Sequence, residues 1–132
     1  MFKKILYPTD FSDVAGKALD YIKQFKEAGS QEVVLVHVIN QRIVDGLMRH
    51  AFLDKDIEKW LKQAKTNAQE SLAEIRKDLE AAGFMVKSII KTGFPWKVIL
   101  DTEKEETPSI IVMGSHGRSN IGEMLLGSVS EQ

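Results

Sequence analysis

Two segments of this chain combine glycines, hydroxyls and ionisable side chains at spacings suited to an anionic ligand. The first is Pro8-Thr9-Asp10, and the second runs from Gly114 to Asn120 and continues to Gly127-Ser128. Gly114 and Gly117 permit positive φ angles and let a ligand approach the backbone closely, and consecutive free amides in such a loop can form an anion nest. Ser128 stands where we expect a helix to begin, so its hydroxyl and the helix-terminal amides can meet a phosphate. An ordinary glycine-rich surface loop with a capped helix would show the same residues, so the pattern alone leaves both interpretations open.

Several standard sites are excluded by the spacing of residues. Gly122 and Gly127 have the spacing of a P-loop, but the lysine that should precede Ser128 is absent. The turn from Pro8 to Asp13 has no glycine and therefore lacks the dinucleotide-binding fingerprint. A Gly-x-Ser-x-Gly elbow is also absent. The three histidines, His37, His50 and His116, do not have metal-ligand spacing.

Apolar strands alternate with amphipathic helices along the chain. The expected strands cover residues 5–7, 33–39, 84–90 and 109–113, and the expected helices cover residues 12–29, 54–83 and 95–107, with a last helix opening at Gly127-Ser128. Residues 40–53 have no clear period and form a long excursion with room for a short helix. The nearly continuous apolar run at 33–39 is typical of a parallel sheet covered on both faces. This alternation predicts a single α/β domain, residues 1–132, with a doubly wound open parallel sheet.

Both chemically rich segments follow strands of that sheet directly. In open parallel sheets, ligands bind outside the carboxyl ends of the strands, where the strand order reverses. Pro8-Thr9-Asp10 follows the first strand and the segment from Gly114 follows the fourth. We therefore expect the two segments to form one crevice.

Composition narrows the classes of function. The chain has 132 residues, a net charge of −1 and no cysteine, so disulfides, thiolate metal sites and cysteine nucleophiles are excluded. The basic excess typical of nucleic-acid binders is absent. An apolar run long enough for a transmembrane helix and a signal peptide with a cleavage site are absent as well. We therefore expect a cytoplasmic protein that binds neither nucleic acid nor membrane.

The glycine spacing and its flanks resemble a known family. Gly114-x-x-Gly117, nine residues and then Gly127-Ser128 match the G-x2-G-x9-G-[S/T] signature of the ATP-binding universal stress proteins. The similarity extends to four flanking stretches, which cover residues 6–12, 35–39, 92–95 and 110–117. Because it spans essentially the whole chain, the sequence is identified as a member of this family.

The resemblance implies a flavodoxin-like or adenine nucleotide alpha hydrolase-like three-layer sandwich that binds ATP, ADP or AMP together with Mg²⁺ or Mn²⁺. In the family, the acid after strand one lies near the ribose, phosphates and metal, and Asp10 matches it. A strand-two valine whose backbone reads adenine is matched by Val38. The remaining positions implied as nucleotide contacts are Pro8, Thr9, Met113, Gly114, Ser115, His116, Gly117, Arg118, Gly127, Ser128 and Val129, with Ser119, Asn120 and Ser130 lining the same region.

Several of these residues have a second interpretation. Asp10 can cap the first helix instead of holding a metal, or do both. His37 lies within an apolar strand, which favours a hydrogen-bonded core histidine over a ligand contact. His116 can face solvent, and Arg118 can be an ordinary surface charge instead of a phosphate contact.

The family usually has a fifth strand, which often pairs with a partner in the dimer. This chain stops at Gln132, barely into the expected last helix, so we expect the fifth strand to be missing and the edge of strand four to be exposed. The resemblance implies a homodimer and an unidentified protein partner, and the absent strand weakens the homodimer more than the pocket.

Four functions follow from these observations. The leading hypothesis is a nucleotide-dependent switch or sensor in a stress response. The second is a slow ATPase or phosphotransferase, although the sequence shows no strong general base or lysine clamp. A flavodoxin-like flavin protein is disfavoured because the phosphate loop follows strand four and not strand one. A nucleotide-free interaction domain is disfavoured because every glycine of the signature is present.

Overall fold

The computed structural model describes residues 3–11, 13–50, 53–116 and 121–128, and the side chains of 13–15, 114–116 and 121–128 are left undescribed. Its elements in chain order are β1 (Lys4–Pro8), α1 (Asp13–Phe25), β2 (Glu32–Asn40), α2 (Gln41–Arg49), α3 (Asp54–Ala81), β3 (Met85–Gly93), α4 (Pro95–Glu106), β4 (Ile110–His116) and β5 (Ile121–Ser128). Within the described residues, no helix has the length and apolar character needed to cross a membrane.

The strands form one sheet in the order β3-β2-β1-β4-β5. The chain moves outward from β1 to β2 and β3 and then returns to the other side of β1 for β4, so the strand order reverses between β1 and β4. The first four strands are parallel, with Pro8 opposite Val36 and Leu6 opposite Ile111. The predicted doubly wound parallel sheet is therefore confirmed.

Two apolar layers cover the sheet. On one face, Ile5, Tyr7 and Leu35 pack with side chains of α1 and α3. On the other face, Leu6, Val34 and Val36 pack with Ile99 of α4. Both sides of the central strands are removed from water, which explains why β1 and β2 are continuously apolar in sequence.

The helix boundaries follow local chemistry. Asn40 caps α2, since its side-chain oxygen accepts a hydrogen bond from the Arg42 N–H at 2.9 Å. Pro95 occupies the first turn of α4, where its fixed φ and missing N–H are tolerated. Thr107, which adopts a left-handed conformation with φ 46°, ends α4. The excursion at 40–53 therefore contains the short helix for which the sequence left room.

The last part of the chain differs from the prediction. We expected a glycine-rich loop and then a helix from Gly127-Ser128, but residues 121–128 form β5, which pairs antiparallel with β4. A parallel fifth strand is not found among the described residues, and the strand that occupies this edge is an antiparallel one made from the expected loop. The expectation of an exposed β4 edge is therefore wrong, because β5 supplies the backbone partners that an edge strand lacks.

Candidate functional site

A cavity of about 320 Å³ lies at the carboxyl ends of the strands, on the α4 side of the sheet. This volume is at the lower end of the range for small-molecule sites. The described residues that line it are Pro8, Thr9, Asp10, Val36, Val38, Asn40, Pro95, Trp96, Ile99 and Met113. They come from β1, β2, β4 and α4, so the cavity lies beside the point where the strand order reverses.

The floor of the cavity is apolar. Val36 and Ile99 are almost completely buried, and Val38 and Met113 pack against the same cluster while remaining partly exposed. Val36 and Val38 share this face because alternate residues of a strand point the same way. A flat apolar ligand group would therefore find matching surface here.

Thr9 is held by hydrogen bonds through its N–H, its side-chain oxygen and its carbonyl. Its N–H donates to the Val36 carbonyl at 2.9 Å, which extends the β1–β2 pairing by one residue. Its side-chain oxygen accepts from the Phe11 N–H at 3.0 Å. Its carbonyl lies 2.8 Å from Nδ1 of His37. These bonds fix the backbone that carries Asp10 into the cavity.

The charge of Asp10 lies close to the end of β1. The pKa of Tyr7 is raised to about 12: burial is the main cause, the hydrogen bond with Thr9 acts in the opposite direction, and the charges of Asp10 and Asp20 contribute to the rise. Tyr7 therefore stays neutral at physiological pH. Asp10 itself is exposed, so its carboxylate can meet a ligand or an ion that enters from solvent.

A metal at this cavity would have few protein ligands. The described residues contain no group of three or more His, Cys, Asp or Glu side chains placed to hold an ion. Mg²⁺ is commonly bound by one or two carboxylates together with substrate phosphates and water. Asp10 therefore suits a metal that arrives with a phosphorylated ligand, and it does not form a metal site by itself.

The α4 side supplies an aromatic wall that the sequence analysis missed. Trp96, in the first turn of α4, lines the cavity and keeps 62% of its surface exposed. The turn before it is tight, because a Cβ on Gly93 would lie 2.7 Å from Cγ2 of Val98. Gly93 thus lets the end of β3 approach α4 and sets the position of Pro95 and Trp96.

The predicted site residues fall into four groups, of which Gly127 and Ser128 are the last. Pro8, Thr9, Asp10, Val38 and Met113 all line the cavity. Gly114, Ser115 and His116 continue β4 beyond Met113, toward the same edge of the sheet. Gly117, Arg118, Ser119, Asn120, Val129 and Ser130 lie outside the described residues.

Gly127 and Ser128 are not brought to the cavity in this arrangement. They pair with Ile111 and Ile110 at the amino end of β4. The reason is the direction of β5, which runs antiparallel and carries its last residues away from the carboxyl edge. Their role as phosphate contacts stays a prediction.

The residues that sequence reasoning did not assign to the site are Val36, Asn40, Pro95, Trp96 and Ile99. Two signals pointed to part of this set. Val36 shares the two-residue period of Val38, and Pro95 belongs to the stretch at 92–95 that resembles the family. The contribution of α4 through Trp96 and Ile99 depends on how that helix lies over the sheet, which periodicity does not encode.

Comparison with known proteins gives consistent matches. The model of the universal stress protein family matches residues 1–132. Universal stress protein MJ0577 of Methanocaldococcus jannaschii is 43% identical, with 99% of this chain and 87% of that protein covered. Its solved structure superposes with a TM-score of 0.80 at 40% identity, over 96% of this chain and 84% of that one. Universal stress protein YxiE of Bacillus subtilis is 32% identical, with 100% and 91% covered.

A more distant structure shares the fold. It is a universal stress protein family protein from Arabidopsis thaliana with AMP bound. It is 18% identical to this chain with a TM-score of 0.64, and the match covers 90% of this chain and 80% of that one.

Proposed function

Because this chain belongs to the universal stress protein family, we propose that its cavity binds ATP or a related adenine nucleotide and that the protein is a nucleotide-dependent switch or sensor in a stress response. The observation that carries this proposal is the cavity itself. An apolar floor, a buried threonine and an exposed carboxylate meet beside the reversal of strand order, which is where open α/β sheets bind ligands.

The backbone of β2 suits an adenine base. The pairing of β1 with β2 ends at Pro8 and Val36, and the Val36 carbonyl points to the β1 side, where it accepts from Thr9. Backbone groups alternate along a strand, so the N–H and C=O of Val38 point to the same side, beyond the end of β1. A donor and an acceptor at this spacing match the ring nitrogen and amino group of adenine.

The phosphates of the nucleotide would lie at the carboxyl ends of β1 and β4. Asp10 would hold a Mg²⁺ or Mn²⁺ ion together with the phosphates, since a carboxylate beside polyphosphate repels it without a bridging cation. The ion would supply charge neutralisation. The backbone from Gly114 onward, including Gly117, is the proposed phosphate cradle, and a relative of the same fold has AMP bound.

Calorimetric titration with ATP and Mg²⁺ tests the proposal. Gly117→Val places a branched side chain where the backbone must meet phosphate, and we expect a loss of about 1–3 kcal/mol of binding free energy, the scale of one or two hydrogen bonds to a charged group. Gly46→Ala is the matched control, since an added Cβ there meets nothing within 4 Å. Unchanged ATP affinity in a folded Gly117→Val variant would contradict the phosphate cradle, and no binding by the wild-type chain would contradict the nucleotide function.

A turnover assay separates the switch from an enzyme. We expect the wild-type chain to bind ATP without steady release of phosphate. Sustained phosphate release that Asp10→Asn abolishes would instead assign a slow ATPase.

We also propose a cytoplasmic homodimer. Since β5 covers β4, the edges of the described sheet are β3 and β5, and these are the strands through which a second copy could pair. Light scattering at increasing concentration tests the homodimer, and a stable monomer at high concentration would contradict it.

A further inference from the structure

Phe11 has an unusual backbone conformation directly after Asp10. Among the described residues, the non-glycine residues with positive φ are Phe11 at 65° and Thr107 at 46°. Thr107 has an ordinary reason, because it ends α4. Phe11 is bulky, and a left-handed conformation costs such a residue roughly 1–2 kcal/mol. Strain of this kind persists only where the surroundings impose it, and it occurs preferentially at functional sites.

Three residues impose this conformation, and we call them the Thr9–Phe11–His37 triangle. The Phe11 N–H donates to the side-chain oxygen of Thr9 at 3.0 Å. The Phe11 ring stacks on the His37 ring, with centroids 4.4 Å apart and an interplanar angle of 25°. Nδ1 of His37 lies 2.8 Å from the Thr9 carbonyl. A carbonyl oxygen can only accept a hydrogen bond, so Nδ1 of His37 carries the proton. Each of the three residues therefore contacts the other two.

Two residues of the triangle, His37 and Phe11, lie behind the cavity and not inside it. Val36 and Val38 point into the cavity, so His37 between them points to the opposite face of the sheet. Phe11 lines a separate cleft on that face, together with Tyr7, Leu19 and Ile75 among others. Thr9 alone belongs to both the triangle and the cavity wall.

We propose that His37 and Phe11 are positioning residues, which set from the rear face of the sheet where the Asp10 carboxylate stands in the nucleotide cavity. β1 is buried from Ile5 to Pro8, and α1 is fixed to the same core through Ala18 and Ile22. If the contacts of the triangle are lost, the φ angle of Phe11 relaxes toward negative values. Because β1 and α1 are fixed on either side, the peptide between Asp10 and Phe11 must then rotate, and Asp10 moves with it. This inference rests on the proposed nucleotide function.

His37→Phe is the central variant, because it keeps an aromatic ring beside Phe11 and removes the donor to Thr9. We expect ATP affinity in the presence of Mg²⁺ to fall roughly 3- to 10-fold, which corresponds to the loss of one intramolecular hydrogen bond. Val33→Ala is the control, since Val33 lies on the same face of β2 and is fully buried, and its loss lowers stability without touching the triangle. Phe11→Tyr should retain wild-type affinity and Phe11→Leu should not.

A double-mutant cycle with Asp10→Asn separates positioning from mere stability. If His37 acts through Asp10, the two changes are not independent, and the double variant should lose less affinity than the product of the single losses. A multiplicative loss, or unchanged affinity in a less stable His37→Phe variant, would overturn the inference.

A readout without nucleotide keeps the inference distinct from the proposed function. In amide NMR spectra of the ligand-free chain, we expect the Asp10 and Phe11 signals to move in His37→Phe and to stay in place in Val33→Ala. If the wild-type chain does not bind ATP, the proposed nucleotide function is wrong. The Asp10 and Phe11 signals then still test whether the Thr9–Phe11–His37 triangle sets the backbone at Asp10. Unmoved Asp10 and Phe11 signals would refute it.

Discussion

Gly93→Ala tests the close approach that places α4 over the cavity. An added Cβ would lie 2.7 Å from Cγ2 of Val98, whereas carbon atoms in comfortable contact are about 3.5–4.0 Å apart. One of the two groups must therefore move by roughly 0.8 Å or more to reach that distance. Val98 is buried and its N–H donates to the Phe94 carbonyl at 3.0 Å, so it cannot simply turn into solvent.

Forcing extra volume into such a place costs about 1–3 kcal/mol. For a domain of this size each kcal/mol lowers the Tm by roughly 3–5 °C, which thermal melts followed by circular dichroism resolve easily. Gly16→Ala is the matched control, since Gly16 lies inside α1 and an added Cβ meets nothing within 4 Å. There the same substitution should stabilise the protein by about 0.5–1 kcal/mol through helix propensity.

The opposite signs of the two alanine substitutions are the essential result. Gly93→Ala combined with Val98→Ala should lose less stability than the two single variants together, because the second change removes the atom that clashes. A Gly93→Ala variant as stable as the wild type would refute the close packing of β3 and α4, and with it the placement of Trp96 at the cavity.

Three other predictions concern single side chains. Trp96→Ala should weaken ATP binding by about 1–3 kcal/mol, the scale of base stacking on an aromatic side chain, while Trp96→Phe retains most of it in calorimetry; equal losses in both would contradict stacking. Asp10→Asn should make ATP affinity less dependent on Mg²⁺. If a chelator lowers the ATP affinity of the wild type and of Asp10→Asn equally, Asp10 is only a helix cap or part of the cavity wall. Hydrogen bonding to Lys87 holds the pKa of Glu106 below its usual value. The Glu106 carboxylate therefore stabilises the fold at pH values above its pKa in the unfolded chain, and this stabilisation is lost as the pH falls through its pKa in the folded protein. Urea unfolding should therefore separate Glu106→Gln from the wild type at pH 7 and bring the two together at acid pH, and a difference that is independent of pH would contradict this role.

The order of elements up to β4 could be predicted from the sequence because each boundary has a local cause. The apolar run from Val33 to Ile39, the first-turn proline at Pro95 and the helix end at Thr107 all act over a few residues. Patterns of this kind depend on burial and on backbone conformation, and they need little knowledge of distant contacts.

The segment at 121–128 could not be predicted in this way. It mixes glycines at Gly122 and Gly127 with apolar residues between them, and a short apolar run of this type is compatible with either a helix or a strand. Its conformation as β5 is decided by pairing with the edge of β4, which is a tertiary interaction. The same pairing moves Gly127 and Ser128 away from the cavity.

The candidate site was predictable on its strand side and not on its helix side. Pro8, Thr9, Asp10, Val38 and Met113 follow from the rule that ligands bind at the carboxyl ends of parallel strands. Trp96 and Ile99 line the cavity only because α4 packs over the sheet near the carboxyl ends of the strands. Nothing in the residues around Trp96 distinguishes a cavity wall from ordinary packing.

A crystal structure of the chain with ATP and Mg²⁺ would show directly where the nucleotide binds. We expect the adenine ring against Val36 and Val38 beneath Trp96, its polar edge on the backbone of Val38, and the metal and phosphates beside Asp10. Nucleotide found elsewhere, for instance in the cleft beside Phe11 on the opposite face of the sheet, or a cavity that stays empty at saturating ATP, would contradict this expectation.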